Sequence, residues 1–239
     1  MTGHSVDDDR TVSGYYSTVN PDLLGLVQPA ARRIGEFGCG AGALVRAVRQ
    51  RCPGVFYVGV ELMPVELAQA RDALDVAVLR DLNAVKDWSA DPELADALPL
   101  DSFDHIIFGD VLEHLYDPEA AVRQAAMRLV PGGSLLACIP NVQHWSVFVQ
   151  LMLGSWPRRN RGLFDSTHIR WFTLSDMVLL MRGEGLSVAR IIPRVTAHEK
   201  REAVIESLKP LADLIGVDHA DFRQRSVPLQ YVLEARKPV

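Results

Sequence analysis

Two rhythms of apolar residues alternate along the first 140 positions. Arg33–Phe37, Val55–Val60, Val76–Leu79, Phe103–Gly109 and Ser134–Ile139 are short, nearly uninterrupted apolar runs. Runs rich in β-branched and aromatic residues read as strands buried on both faces, as in a parallel sheet. Between them Ala43–Arg51, Glu66–Leu74, Asp91–Leu98 and Glu119–Leu129 have helical spacing; Leu44, Val45 and Val48 share one side of the first. Pro53-Gly54 and Pro131-Gly132-Gly133 read as turns, and Pro140 stops the fifth strand. The alternation predicts an α/β fold with a doubly wound parallel sheet and right-handed crossovers.

Outside this core the rhythm changes. Helical spacing over Tyr15–Val27 ends at Pro29. Trp145–Trp156 is apolar around most of its circumference, which predicts a buried helix or a lid more readily than a membrane-surface helix. Ser175–Gly185 reads as a helix and Ser187–Pro193 as a strand. Glu199–Ile215 reads as an amphipathic helical stretch broken at Pro210, and Leu229–Ala235 as a final strand. The last two strands leave the crossover rhythm, so an antiparallel closing edge is expected.

Composition narrows the possibilities. The 239 residues are 48% hydrophobic and 23% charged, enough apolar matter for one sizeable core. Lys and Arg total 25 against 30 Asp and Glu, a net charge of −5, which argues against a broad nucleic-acid surface. Three widely spaced cysteines, Cys39, Cys52 and Cys138, make neither a disulfide framework nor a zinc cluster, and fit a reducing, cytoplasmic compartment. The first ten residues have no signal-peptide pattern, and no stretch approaches the ~18 apolar residues of a membrane span.

Glu36-Phe37-Gly38-Cys39-Gly40-Ala41-Gly42 lies where the first strand hands over to a helix. Glycine there permits positive φ and close approach to a ligand, at the sheet edge where open α/β sheets have their crevice. A phosphate loop would need a Gly-Lys-Ser/Thr ending, which is missing. Gly38, Gly40 and Ala43 meet the loose dinucleotide pattern. Glu36 with Gly38, Gly40 and Gly42 fits S-adenosyl-L-methionine, whose cationic methionine end suits an adjacent carboxylate that would repel a pyrophosphate. A simple tight turn is the remaining reading. Glu61, ending the second strand, could accept both hydroxyls of a ribose, with Leu62 beside it. Asp81 could accept an adenine amino group while Leu82 supplies a backbone donor.

With Asp104–Leu115 and Leu129-Val130-Pro131-Gly132-Gly133-Ser134-Leu135, the ordered set resembles class I S-adenosyl-L-methionine-dependent methyltransferases across roughly residues 30–140. The resemblance implies a Rossmann-like seven-stranded sheet with the last strand antiparallel. It places the methionine end at Glu36, Gly38 and Gly40, the ribose at Glu61, the adenine at Asp81 and Leu82, and Asp110 in the crevice, with Cys39, Gly42, Leu62 and Tyr16 as further cofactor-binding residues. Tyr15 and Tyr16 stand where some relatives carry a lid over the cofactor, or pack an aromatic helix face on the sheet. The expected organisation is one domain over 1–239: a helical lid at 1–28, a cofactor-binding core at 30–140, and an acceptor-side segment with closing strands at 141–239.

Ile139–Ser146, Leu151–Gly154 and Asp165–Thr173 are similar to bacterial methyltransferases of glycan assembly, and to a methyltransferase-like partner of a homoserine acyltransferase in methionine biosynthesis. The implied activity is O-methylation of a small molecule or glycan. N-methylation, a non-catalytic adaptor and, last, an NAD oxidoreductase are the alternatives. A hydroxyl acceptor needs a base, and a neutral histidine suits that role. The candidates are His144 and His168, then His114, which could instead buttress the sheet edge. Arg158, Arg159 and Arg161 could hold an acidic group on the acceptor, or form a solvated loop. No His/Asp/Glu cluster has clear metal-ligand spacing, so no metal is expected. Apolar stretches after the fifth strand would permit a homodimer.

Overall fold

The computed structural model describes residues 18–239; Tyr15 and Tyr16 lie outside them. Seven strands form one sheet: β1 (Arg33–Phe37), β2 (Phe56–Glu61), β3 (Val76–Leu79), β4 (Phe103–Gly109), β5 (Leu129–Pro140), β6 (Ser187–Arg194) and β7 (Gln230–Arg236). Their order is β3-β2-β1-β4-β5-β7-β6, parallel from β3 to β5, with β7 inserted antiparallel to both neighbours. The chain starts in the middle at β1, winds outward to β3, and returns past β1 to β4. The β1/β4 reversal is the topological switch point, where open sheets of this kind carry their ligand crevice.

The helices are α1 (Pro21–Leu26), α2 (Ala43–Arg51), α3 (Pro64–Ala70), α4 (Pro92–Ala97), α5 (Pro118–Arg128), α6 (Trp145–Met152), α7 (Leu174–Gly183), α8 (Arg201–Ser207), α9 (Lys209–Leu214) and α10 (His219–Ser226). Strand alternation divides the core between the two faces. Phe37, Val58, Ile106 and Phe108 pack with Leu94, Val122 and Met177 of α4, α5 and α7 on one face. Ile34, Tyr57, Ile107 and Leu136 pack with Leu23 and Leu26 of α1 and Leu44, Val45 and Val48 of α2 on the other. Fully burying such a side chain stabilises the fold by about 1.5–3 kcal/mol, so both helical layers hold the strand tips in register.

Four details differ from the sequence expectation. α1 begins only at Pro21, because Asn20 caps it by accepting from the Asp22 and Leu23 amides. Pro131-Gly132-Gly133 is absorbed into β5 as an irregularity where pairing jumps from Phe103↔Leu129 to His105↔Ser134. The 199–215 stretch breaks at Leu208, and Pro210 sits in the first turn of α9, where a missing N–H costs nothing. The helix α10 is polar nearly all round and shows no apolar stripe; Phe222 is its one buried hydrophobic side chain, packed with Trp145 and Ile205. The Trp145–Trp156 stretch is covered only at its start: Trp145 and Val147 are buried, whereas Leu151 and Met152 are exposed. Among the described residues, no helix is long and apolar enough to cross a membrane.

Candidate functional site

Three carboxylates stand at the C-terminal tips of β1, β2 and β3. At the first, the chain leaves β1 through Gly38, Gly40 and Gly42, with φ of +68°, +52° and +82°. Side chains rarely adopt these angles. At Gly38 a Cβ would also stand 2.5 Å from Val111 Cγ2. The Gly38 amide donates to the Val60 carbonyl at 2.8 Å, tying the loop to β2. Gly42 then caps α2.

Glu36 is buried beneath this loop and accepts a 2.8 Å hydrogen bond from Tyr57 Oη. Burial pushes its pKa up to about 8; the Tyr57 bond pulls against that, and the Glu61 charge adds to it. Burial likewise raises the Cys39 thiol, followed by the charges of Glu36 and Glu61. This thiol is therefore no nucleophile. Glu61 is 8% exposed, and both its oxygens accept from backbone: Oε2 from Gly40 N at 2.8 Å, Oε1 from Leu62 N at 2.8 Å and Met63 N at 2.9 Å. One side chain thus links the β2 tip to the glycine loop. Asp81 accepts from Asn83 N at 2.9 Å and caps the short turn Leu82–Ala84, while Leu82 packs partly on the core.

The fourth tip is built differently. Asp110 follows β4 with φ of +56°, uncommon outside glycine. Its Oδ1 accepts from Gln230 Nε2 at 2.6 Å, so β7 reaches across β5 to orient it. Glu113 and His114 follow in a single tight turn, Leu112–His114. Glu113 is 1% exposed, and neither carboxylate oxygen has a hydrogen-bond partner. Burial, then the Asp110 charge, hold its pKa well above the carboxylate range.

The loop carrying His168 is stapled to this turn. Ile169 N and Arg170 N both donate to the Glu113 carbonyl at 3.0 Å. His168 Nε2 stands 3.8 Å from Glu113 Oε1, and the His114 and His168 rings meet edge to face at 4.8 Å between centroids. His114 Nδ1 lies 3.2 Å from the Thr167 carbonyl. Burial, then His114, lower the His168 pKa.

His144 has other neighbours. Its Nδ1 lies 2.8 Å from Ser146 Oγ and caps α6, its ring packs on Trp145, and its buried Nε2 lacks a partner. Burial, then Arg201 and His198, lower its pKa to about 4. Arg158 donates to the Ser166 carbonyl at 3.0 Å, and Arg159 lies over the Phe164 ring. These two therefore help shape the His168 loop. Tyr16, the expected lid residue, falls outside the described residues.

Sequence reasoning did not single out Tyr57, Gln230 or Glu113. Tyr57 meets Glu36 through the β1/β2 register, which opposes Glu36 to Gly59 two residues away. Glu113 reads as one polar residue in Val111-Leu112-Glu113-His114-Leu115, and its neighbour His168 comes from a distant loop.

The comparisons with known proteins agree with this architecture. A methyltransferase domain model matches residues 14–191. The chain belongs to the methyltransferase domain family. This family depends on S-adenosyl-L-methionine, which decides the cofactor against a dinucleotide. The chain is 33% identical over 135 residues to a ubiquinone biosynthesis O-methyltransferase of Idiomarina loihiensis, covering 53% of each chain. It is 31% identical over 112 residues to a protein of the same name from Xanthomonas axonopodis pv. citri, covering 46% of this chain and 43% of that one. The chain spans about half the length of the curated relatives it matches. Solved structures of S-adenosylmethionine-dependent methyltransferases share the fold. That from Mesorhizobium loti has a TM-score of 0.58 at 18% identity, covering 91% of this chain and 96% of that one. That from Archaeoglobus fulgidus has a TM-score of 0.57 at 15% identity, covering 87% of each.

Proposed function

We propose that this methyltransferase moves the methyl group of S-adenosyl-L-methionine onto a hydroxyl oxygen of a small molecule, glycan precursors included. The observation that carries the reading is the Glu61 carboxylate, held at the lip of the glycine loop by three backbone amides. The donor set suits the ligand: carboxylates at successive tips, and a loop too crowded at Gly38 for any side chain. Glu36, Gly38, Cys39, Gly40 and Gly42 would take the cationic methionine end. Glu61 and the Leu62 segment would take the ribose hydroxyls, and Asp81 with Leu82 the adenine edge.

Bound there, S-adenosyl-L-methionine supplies a methyl carbon on a sulfonium whose leaving group is a neutral thioether. The protein's task is to align the acceptor oxygen with that carbon and to exclude water. Alignment of this kind can supply as much as ~7–11 kcal/mol of the barrier. Asp110, held by Gln230, borders the crevice at the β4 tip. The acceptor proton must also leave, which general-base assistance accelerates by about 10²–10⁴-fold. Glu113, His114 and His168, gathered beyond that tip, are the groups suited to this step. His144 fits less well, since its Nδ1 is engaged in a helix cap and its Nε2 is enclosed. Oxygen is favoured over nitrogen as acceptor because the curated relatives are named O-methyltransferases.

The test is a mass-spectrometric screen of phenols, vicinal diols, sugars and amines with the donor. Methylated hydroxyl compounds, with matching release of S-adenosyl-L-homocysteine, are expected. Products formed from amines alone would overturn the oxygen assignment.

A further inference from the structure

The buried pair of unpartnered oxygens on Glu113 is the least satisfied feature of the site. Burying a carboxyl without hydrogen bonds costs several kcal/mol in effect, and such groups are normally paired or bound to metal. Among the described residues, the rings of His114 and His168 approach it. Glu113, His114 and His168 each offer one ligand atom, and these atoms all lie within 4.8 Å of one another. The sequence carries no sign of this, because His168 reaches the turn only through the folded loop.

We propose that Glu113, His114 and His168 hold a divalent transition-metal ion of the Zn²⁺ class, which takes the acceptor hydroxyl as a further ligand. The inference rests on the acceptor-oxygen reading above. Its metal-binding part stands on the cluster alone.

The ligand chemistry selects the ion. Two imidazoles and one carboxylate suit Zn²⁺, Co²⁺ or Fe²⁺; Mg²⁺ and Ca²⁺ prefer all-oxygen sets. Three protein ligands leave a position open, as in catalytic zinc sites. Ligands at about 2.0–2.1 Å from a tetrahedral ion are roughly 3.3 Å apart, so the cluster must close inward slightly on loading. The outer contacts are those that orient metal-binding histidines. Thr167 O faces His114 Nδ1, so a proton there leaves Nε2 as the donor. The His168 ring is hydrogen-bonded to the Leu163 carbonyl, while its Nε2 faces Glu113. Thr167 is itself fixed, its amide and hydroxyl donating to Asp165 Oδ1 at 2.9 and 2.6 Å.

The metal would lower the pKa of the coordinated hydroxyl, as it does for bound water. With their lone pairs on the ion, the three ligands no longer serve as bases, and the hydroxyl proton passes to solvent. The oxygen then forms the new O–C bond as the C–S bond breaks, and the sulfur leaves with that electron pair as the neutral thioether.

The test uses the full chain, stripped with chelator and desalted. Co²⁺ is titrated while its visible d–d absorption is followed, Zn²⁺ is titrated calorimetrically, and Mg²⁺ serves as the control. One equivalent of Co²⁺ is expected, displaced by Zn²⁺ and not by Mg²⁺. Glu113→Gln, His114→Gln and His168→Gln should each weaken it by more than the ~10–100-fold that loss of an outer contact costs. The two histidine variants keep the test decisive if Glu113→Gln fails to fold. Absence of stoichiometric Co²⁺ binding, or binding unchanged in the histidine variants, overturns the site. Full-rate methyl transfer in excess chelator overturns the metal's role while leaving methyl transfer standing. Co²⁺ binding without binding of S-adenosyl-L-homocysteine supports the site and removes the methyl-transfer reading instead.

Discussion

Glu61 and Glu113 are both buried carboxyls just past strand tips of the same sheet, yet the fold treats them in opposite ways. Glu61 receives three backbone amides; Glu113 receives no hydrogen bond on either oxygen. The β1–β3 side of the cleft is therefore complete before any ligand arrives, and its loop geometry is locked by its own side chains. The β4 side leaves a buried carboxyl without a hydrogen bond, the feature on which the proposed metal site rests. On the proposed reading, the preorganised β1–β3 side takes a ligand common to a whole family, and the β4 side takes the acceptor.

The contrast is broken most sharply at Glu61. Glu61→Ala strands the buried Gly40 amide and frees the Leu62 and Met63 amides on an exposed segment, and a buried unsatisfied group costs about 1–3 kcal/mol. Denaturant unfolding should register a loss of about 1–3 kcal/mol, and calorimetry a fall in S-adenosyl-L-homocysteine affinity of about 100-fold. Retained affinity would mean that the loop is not held by Glu61. Next in size is Gly38→Ala, which places a side chain at φ of +68° against Val111. Strain of this kind costs of order 1–3 kcal/mol, and thermal melting should show it together with weakened cofactor binding.

The glycine loop and the strands around it were legible in the sequence because these elements are local. The bounds of β1, β3 and β4 follow from short, mostly apolar runs, and glycines marked the loop. The acceptor side is assembled from residues far apart: Glu113 from a turn, His168 from a loop after α6, Gln230 from the last strand. No spacing rule joins them: the insertion of β7 between β5 and β6 brings Gln230 to Asp110, and the Ile169 and Arg170 amides on the Glu113 carbonyl bring His168 to its turn. The helix α10 escaped for a related reason, since a helix anchored by one aromatic residue lacks the periodic stripe on which pattern reading depends.

A smaller effect sharpens the electrostatic side of the comparison. The Glu36 pKa is raised from 4.5 to about 8, so between those values the folded protein binds a proton that the unfolded chain has released. Stability is then full below pH 4.5 as far as this group is concerned. It falls as pH rises toward 8, with a slope approaching about 1.4 kcal/mol per pH unit. Burial shifts Glu113 in the same direction. Glu36→Gln should flatten its share of the slope in denaturant titrations of the ligand-free protein across pH 5–8. An unchanged slope would show that Glu36 is already ionised in its pocket. The smallest expected effect is that of Gln230→Ala. Loss of its hydrogen bond to Asp110, about 0.5–1.5 kcal/mol, should slow turnover roughly two- to tenfold and leave S-adenosyl-L-homocysteine affinity unchanged.

The two halves are separated most directly by calorimetric titration of S-adenosyl-L-homocysteine into the wild-type chain, Glu61→Ala and His168→Gln side by side. The wild-type and His168→Gln proteins should bind with the same affinity, and Glu61→Ala with about 100-fold less. A wild-type chain that does not bind, or a His168→Gln protein as impaired as Glu61→Ala, would contradict a donor half that is built and filled independently of the acceptor half.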